Sequence, residues 1–190
     1  MSLLNLVLKT IAGFLTFVLL ARFIMQWARA PFRNPIGQFV ITVTDWIVRP
    51  ARRVIPTAWG HDLPTLVLAW LVQAAYLGAL YALSGLFDLQ ARHLGIIALL
   101  ATIETIDLAC TLVIGVVIVS ALLSWINPHA PVAPVVNAIA GPMLRPFQRL
   151  IPLVGGIDLS PIVLILAIQV LEFGLNALRG SLVQSMLMPI

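Results

Sequence analysis

Arg49-Pro50-Ala51-Arg52-Arg53-Val54-Ile55-Pro56 recurs as Arg145-Pro146-Phe147-Gln148-Arg149-Leu150-Ile151-Pro152, 96 residues further along the chain. Six residues after the last proline of each copy stands an aspartate, Asp62 or Asp158. Each aspartate opens a long apolar run that carries a glutamine at the same place, Gln73 or Gln169. Upstream of the proline corner the offset becomes 98, which sets Trp27 against Trp125 and Met1 against Leu99. A duplicated unit with two apolar runs fixes topology and pseudo-symmetry together. The expected division is a first repeat over 1–87, a connector over 88–98 and a second repeat over 99–190.

The apolar runs are membrane spans. Of the 190 residues 61% are hydrophobic and only 9% charged, against roughly 25% charged in a soluble domain. A span needs about 20 helical residues, and four stretches supply them: 3–27, 63–87, 106–126 and 159–178. The first lacks a basic start and is too long for the apolar part of a signal peptide, so it reads as a retained helix. The third apolar stretch begins at Leu94 and is too long for one upright span; a tilted helix or a short interfacial segment would absorb the excess. The fold class is therefore all-α, with four transmembrane helices as two parallel two-span repeats and short interfacial helices.

An even number of spans per repeat puts both proline loops on one side of the membrane. Those loops hold Arg29, Arg33, Arg49, Arg52, Arg53, Arg145 and Arg149, whereas the other side and its helix ends hold Lys9, Arg92 and Arg179. By the positive-inside rule the loops are cytoplasmic and both termini face out. In the first loop Ile36, Phe39, Val40, Val43 and Ile47 recur at helical spacing, with Gln38, Thr42 and Asp45 on the other face. This predicts an interfacial amphipathic helix over 36–48, stopped by Pro50. Val135, Val136, Ile139 and Met143 outline a similar segment over 135–144, shortened by Pro142. Asp62 and Asp158 fit as helix N-caps, with Pro64 and Pro161 in the first turns. The corners are at least re-entry turns. Arg49, Arg52, Arg53, Arg145 and Arg149 could in addition form a basic plate for anionic lipid or a protein partner.

Charges inside the spans are costly, roughly 2.5–3.5 kcal/mol each at mid-helix on insertion scales. The 98-residue offset matches Lys9 with Asp107, so they form either an ion pair or two groups snorkelling separately to outer-face water. Glu104 lies one turn from Asp107. Glu172 is the best candidate for a protonatable working group, against the plainer reading of a neutral acid hydrogen-bonded in a bundle. Arg22, five residues before Trp27, would snorkel toward headgroups. Gln73 and Gln169 could bond across the pseudo-axis, and Ala74, Gly78 and Ala82 form a small-residue stripe suited to close helix contact.

The remaining composition excludes several classes. Cys110 stands alone, so no intrachain disulfide can form. His61, His93 and His129 lie outside the predicted spans, which argues against an intramembrane haem. Basic residues are too few for a nucleic-acid footprint. None of the P-loop, HExxH, GxSxG or CxxC patterns occurs, so neither an enzyme nor a cofactor is expected.

The doubled corner, with Gly60-His61-Asp62-Leu63-Pro64 after the first copy and Gly156-Ile157-Asp158-Leu159-Ser160-Pro161 after the second, resembles the YggT family of bacterial and plastid membrane proteins over essentially the whole chain. The first copy departs in having Trp59-Gly60-His61 where the second has Gly155-Gly156, and in lacking Ser before Pro64. The resemblance implies a small multi-pass protein of the bacterial inner membrane. It also implies family roles in osmotic or ionic stress tolerance and, in plastid relatives, in cytochrome assembly and nucleoid distribution; it supplies no catalytic residue. The expected function is a non-enzymatic organiser or assembly factor presenting a basic cytoplasmic face to anionic lipid or to a membrane or cytoplasmic partner. The alternative is an ion or osmolyte transport component acting as a homo-oligomer.

Overall fold

The computed structural model describes residues 3–55, 62–84, 91–151 and 158–187. Among these residues six helices follow in order: α1 Leu3–Trp27, α2 Pro35–Val54, α3 Leu63–Leu83, α4 Ala91–Ile126, α5 Ala133–Leu150 and α6 Ser160–Leu187. Among the described residues there is no strand. Helices α1, α3, α4 and α6 are each long and apolar enough to cross a membrane, which makes this an all-α multi-pass membrane protein. The last residues of the expected 63–87 span, and the loop residues Pro56, Gly60, His61 and Pro152–Ile157, lie outside the described residues.

Local chemistry sets the element ends. After α1 the Ala30 amide donates to the Met25 carbonyl and the Arg29 amide to Gln26, a Schellman closure. Arg29 holds the left-handed position of that motif at φ 53°, and the apolar contact partners Met25 and Ala30 are buried. Asn34 then caps α2, its Oδ1 accepting the Gly37 amide at 2.9 Å, with Pro35 in the first turn. At Gly37 the chain passes so close to Phe32 that a Cβ would stand 2.5 Å from that residue's carbonyl oxygen, so only glycine permits this approach of backbone to backbone.

Several expected boundaries move. Pro50 does not stop α2, which runs through it to Val54, and α5 runs through Pro142 and Pro146 to Leu150. A proline removes one backbone hydrogen bond. Trp46, whose carbonyl loses its donor to Pro50, is on the exposed face and can turn that carbonyl outward. The interfacial ranges 36–48 and 135–144 are thus each too short at both ends. The connector 88–98 is not a separate element where described, because α4 starts at Ala91 and carries the expected 106–126 span as its C-terminal part. Its 36 residues reach about 54 Å at 1.5 Å per residue, so it must tilt or project beyond the hydrocarbon. His93, expected outside the spans, lies in the first turn of α4.

Packing centres on α1 and α4. Helix α1 lies against α3, α2 and α4, and α4 also meets α3, α5 and α6. The main core joins Val18, Leu19, Leu20 and Ile24 of α1 to Val40 and Val48 of α2, Leu68 and Ala69 of α3, and Val135 and Ile139 of α5. A second cluster sets Leu77 of α3 against Ile96, Ile97, Leu100 and Ala101 of α4. Of the Ala74–Gly78–Ala82 stripe only Ala74 packs on this cluster; a Cβ at Gly78 would meet open space, and Ala82 is exposed. Most of α6 stays exposed, including Val170, Phe173 and Leu178, as suits a face turned to lipid.

Candidate functional site

The first proline corner is built from three helices around two guanidinium groups. Arg22 is buried near the end of α1, and its Nη1 donates to Thr44 Oγ1 at 2.7 Å and to Asp45 Oδ1 at 2.8 Å, both on α2. Thr44 passes the chain on by donating to the Val40 carbonyl at 2.6 Å. Arg49 reaches Asp45 Oδ2 from one turn below at 2.7 Å. Burial pushes the Asp45 carboxyl up, but Arg22, by hydrogen bond and by charge, and then Arg49 outweigh it and hold the group below its usual range. Arg22 therefore does not snorkel, and Asp45, expected on the polar face of the helix, is drawn into the contact with α1. The two neutralise each other inside the α1–α2 contact.

Arg52 closes the other side. Its Nη2 lies 2.6 Å from Asp62 Oδ2, on a carboxylate that is fully buried, and Thr65 Oγ1 donates to the same oxygen at 2.5 Å. Asp62 occupies the N-cap position of α3 but makes no side-chain bond to the first-turn amides. Its role is that of a buried anchor for Arg52 rather than the expected cap.

The second corner uses the same positions with different chemistry. Gln148 stands where Arg52 stands in the first copy, and its Nε2 donates to Asp158 Oδ2 at 2.8 Å. Ser160 donates its amide to Asp158 Oδ1 at 2.8 Å. Since α6 starts at Ser160, Asp158 sits one residue ahead of the N-cap and turns the chain into the helix without capping it. Burial raises the Asp158 carboxyl, and the hydrogen bonds from Ser160 and Gln148 more than reverse this. Between α4 and α5, Ser120 Oγ donates to Asn137 Oδ1 at 2.9 Å.

The arginines of the expected basic plate divide accordingly. Arg52 is committed to Asp62 and Arg49 partly to Asp45. Arg53, Arg145 and Arg149 are exposed and make no ion pair among the described residues. Next to Arg53 and Arg149 in the chain stand exposed Val54 and Leu150.

Inside the spans the pairings also differ from expectation. Lys9 is exposed and forms no ion pair with Asp107. Glu104 is neutralised instead by Arg179, Nη2 to Oε1 2.8 Å, which ties α4 to α6. Asp107 and Glu172 are half-buried on α4 and α6, both within electrostatic reach of the buried thiol Cys110. Gln73 is buried and donates to Thr16 Oγ1 of α1 at 3.3 Å, while Gln169 is exposed, so the two glutamines do not meet. A polar contact between α3 and α4 comes from Trp70 Nε1, which donates to Thr102 Oγ1 at 3.0 Å. No cluster of His, Cys, Asp and Glu able to hold a metal occurs among the described residues.

This arrangement can hold helices in register and offer free guanidinium groups. Sequence reading missed Arg22–Asp45 and Glu104–Arg179. The available signal was that a membrane span carrying an arginine must find it a partner.

Comparison with known proteins places the chain. A family model described as CCB3/YggT matches residues 1–83 and 99–179. The protein YggT of Escherichia coli strain K12 is 37% identical over 175 residues, covering 92% of this chain and 89% of the relative. PA0392 of Pseudomonas aeruginosa is 37% identical over 173 residues, covering 87% of this chain and 84% of its own. A Vibrio alginolyticus protein encoded in the proC 3' region is 30% identical over 185 residues, covering 96% and 98%. No solved structure matches the chain. Four membrane-crossing helices, and a family match that takes in both proline corners up to and beyond their arginines, lead to one assignment: the chain belongs to the CCB3/YggT family.

Proposed function

We propose that this protein is a non-enzymatic organiser of the bacterial inner membrane. It holds anionic lipid headgroups against the arginine-bearing ends of α2 and α5, which face the cytoplasm, and both termini lie outside. One observation carries the reading. Arg53, Arg145 and Arg149 are exposed without a carboxylate partner among the described residues, next to Val54 at 82% and Leu150 at 80% exposure. Uncompensated guanidinium groups beside bare aliphatic side chains suit the boundary between headgroups and acyl chains. A role in osmotic or ionic stress tolerance fits such a lipid-responsive element.

The test replaces Arg53, Arg145 and Arg149 with alanine. Each basic residue near an anionic surface contributes about 1 kcal/mol, so the triple variant should favour phosphatidylglycerol over phosphatidylcholine about 100-fold less. Native mass spectrometry of the protein from mixed-lipid nanodiscs reads the ratio. An unchanged ratio rejects the lipid reading. An unchanged ratio together with lost crosslinking to an acidic protein in native membranes would transfer the role to a protein partner.

A second reading rests on Asp107 and Glu172, two carboxylates within the spans that form no ion pair among the described residues. Intramembrane carboxylates of this kind serve proton or ion paths, here along a path between copies of the chain. On that reading Glu172→Gln abolishes ion-linked flux in proteoliposomes, and undiminished flux removes it.

A further inference from the structure

Two clefts open at the proline corners, and the same sequence positions line both. Arg22, Gln26, Ile41 and Arg52 line a cleft of about 180 Å³ at the first corner. Moved by the offsets of 98 for α1 and 96 for α2, these positions become Ser120, Ser124, Asn137 and Gln148. All four line the cleft of about 220 Å³ at the second corner, together with Asp158. The two clefts share four equivalent lining positions and differ in the side chains that stand there.

The charge balance differs between them. In the first, the carboxylates Asp45 and Asp62 are met by the guanidinium groups of Arg22 and Arg52. In the second, Asp45 is replaced by Gly141 and both arginines by neutral residues, yet the aspartate of the corner remains. Asp158 is the only charged side chain among the described residues lining that cleft. Its hydrogen bonds from Gln148 and Ser160 are of the kind that keep a carboxylate ionised.

Donors and acceptors point the same way. Gln148 spends one of its two amide N–H groups on Asp158, and its carbonyl oxygen remains an acceptor. Ser120 spends its hydroxyl proton on Asn137. What the cleft offers is one carboxylate, with neutral oxygen acceptors on Gln148, Ser120 and Ser124 beside it, in a volume many times the ~30 Å³ share of one water molecule. Such a lining solvates a cation that carries N–H donors and has the bulk of a small headgroup.

We propose that the second corner is a binding site for an organic cation bearing N–H donors, a primary ammonium or guanidinium group. This group bonds the Asp158 carboxylate beside Gln148 and supplies the positive charge that Arg52 supplies to Asp62. It could arrive as the ethanolamine headgroup of a membrane lipid or as a free small amine.

The test uses the full chain in mild detergent, with ethylammonium as probe and tetramethylammonium and sodium at the same ionic strength as controls. Ethylammonium at ten times its half-saturating concentration should raise the melting temperature by about 4 °C; the controls, which cannot donate N–H bonds, should not. Gln148→Arg, which supplies an internal guanidinium as the first corner does, should abolish the response, as should Asp158→Asn. If Asp158→Asn does not fold, Gln148→Arg still decides the matter because it keeps the carboxylate. In nanodiscs, wild-type protein that retains phosphatidylethanolamine over phosphatidylcholine, with the preference lost in Gln148→Arg, identifies the lipid as the source. Response to the free amine without lipid preference identifies a solute. No ethylammonium shift, an equal shift with sodium or tetramethylammonium, or an undiminished shift in Gln148→Arg would overturn the proposal.

Discussion

Replacing Asp45 with alanine should destabilise the protein by about 3–5 kcal/mol, the range for breaking a buried ion pair from one side. The cost comes from what is left behind. Arg22 has a side chain only 7% exposed and would keep a single neutral partner, Thr44. Removing both charges, as Arg22→Met with Asp45→Ala, should recover most of the loss, because an apolar pair leaves no stranded charge. Thermal unfolding in one detergent across the four members of the cycle measures this. A single Asp45→Ala variant within 0.5 kcal/mol of wild type (about the scatter of an ordinary surface substitution) would remove Arg22–Asp45 from the account of stability. The pair also predicts an acid limb. Because Asp45 is held below its ordinary value, the unfolded chain takes up its proton first as pH falls. Its stabilisation is complete above the unfolded value of about 3.9 and is lost as pH drops through the lower folded value. Asp158 acts in the same direction, so Asp45→Ala should flatten the limb only in part.

Arg52 gives the second large effect and a graded one. Asp62 is wholly buried, and Arg52 supplies its only cation among the described residues. Arg52→Met should therefore cost about 3 kcal/mol by leaving a buried carboxylate on Thr65 alone. Arg52→Gln should cost nearer 1 kcal/mol, because the second corner already holds its aspartate with a glutamine at 2.8 Å. Unfolding midpoints of the two variants decide the matter. Equal losses, or a methionine variant as stable as wild type, would mean that the corner is held by chain geometry and not by this pair.

The Pro50 and Gln73 cases show where reading a linear sequence stops. Pro50 looks like a helix end because its local cost is visible and its compensation is not. The exposed position of Trp46 and the packing of Val48 and Ala51 on the core that let α2 continue depend on which face of α2 meets α1. Gln73 and Gln169 are equivalent by position, yet one is buried against Thr16 and the other faces outward. The position opposite Gln169 that matches Thr16 is Ile114, which offers no hydrogen bond. Lys9 and Asp107 share a depth by offset, but depth says nothing about rotation around the helix axis, and Glu104 finds Arg179 instead.

The amino-acid sequence alone determined the four apolar helices, the all-α class, the doubled arginine–proline corner and the family. Each is a property of runs and spacings along one dimension: hydrocarbon thickness demands a length of apolar chain, and a motif either recurs or does not. Tertiary structure alone decided which charges neutralise each other, that α2 and α5 pass through their prolines, and that each corner opens a cleft, lined by guanidinium groups in the first and by neutral side chains around Asp158 in the second. Those outcomes depend on how each helix is turned about its own axis against its neighbours. Turning a helix by one residue's 100° moves a side chain from partner to lipid and leaves every run and spacing unchanged.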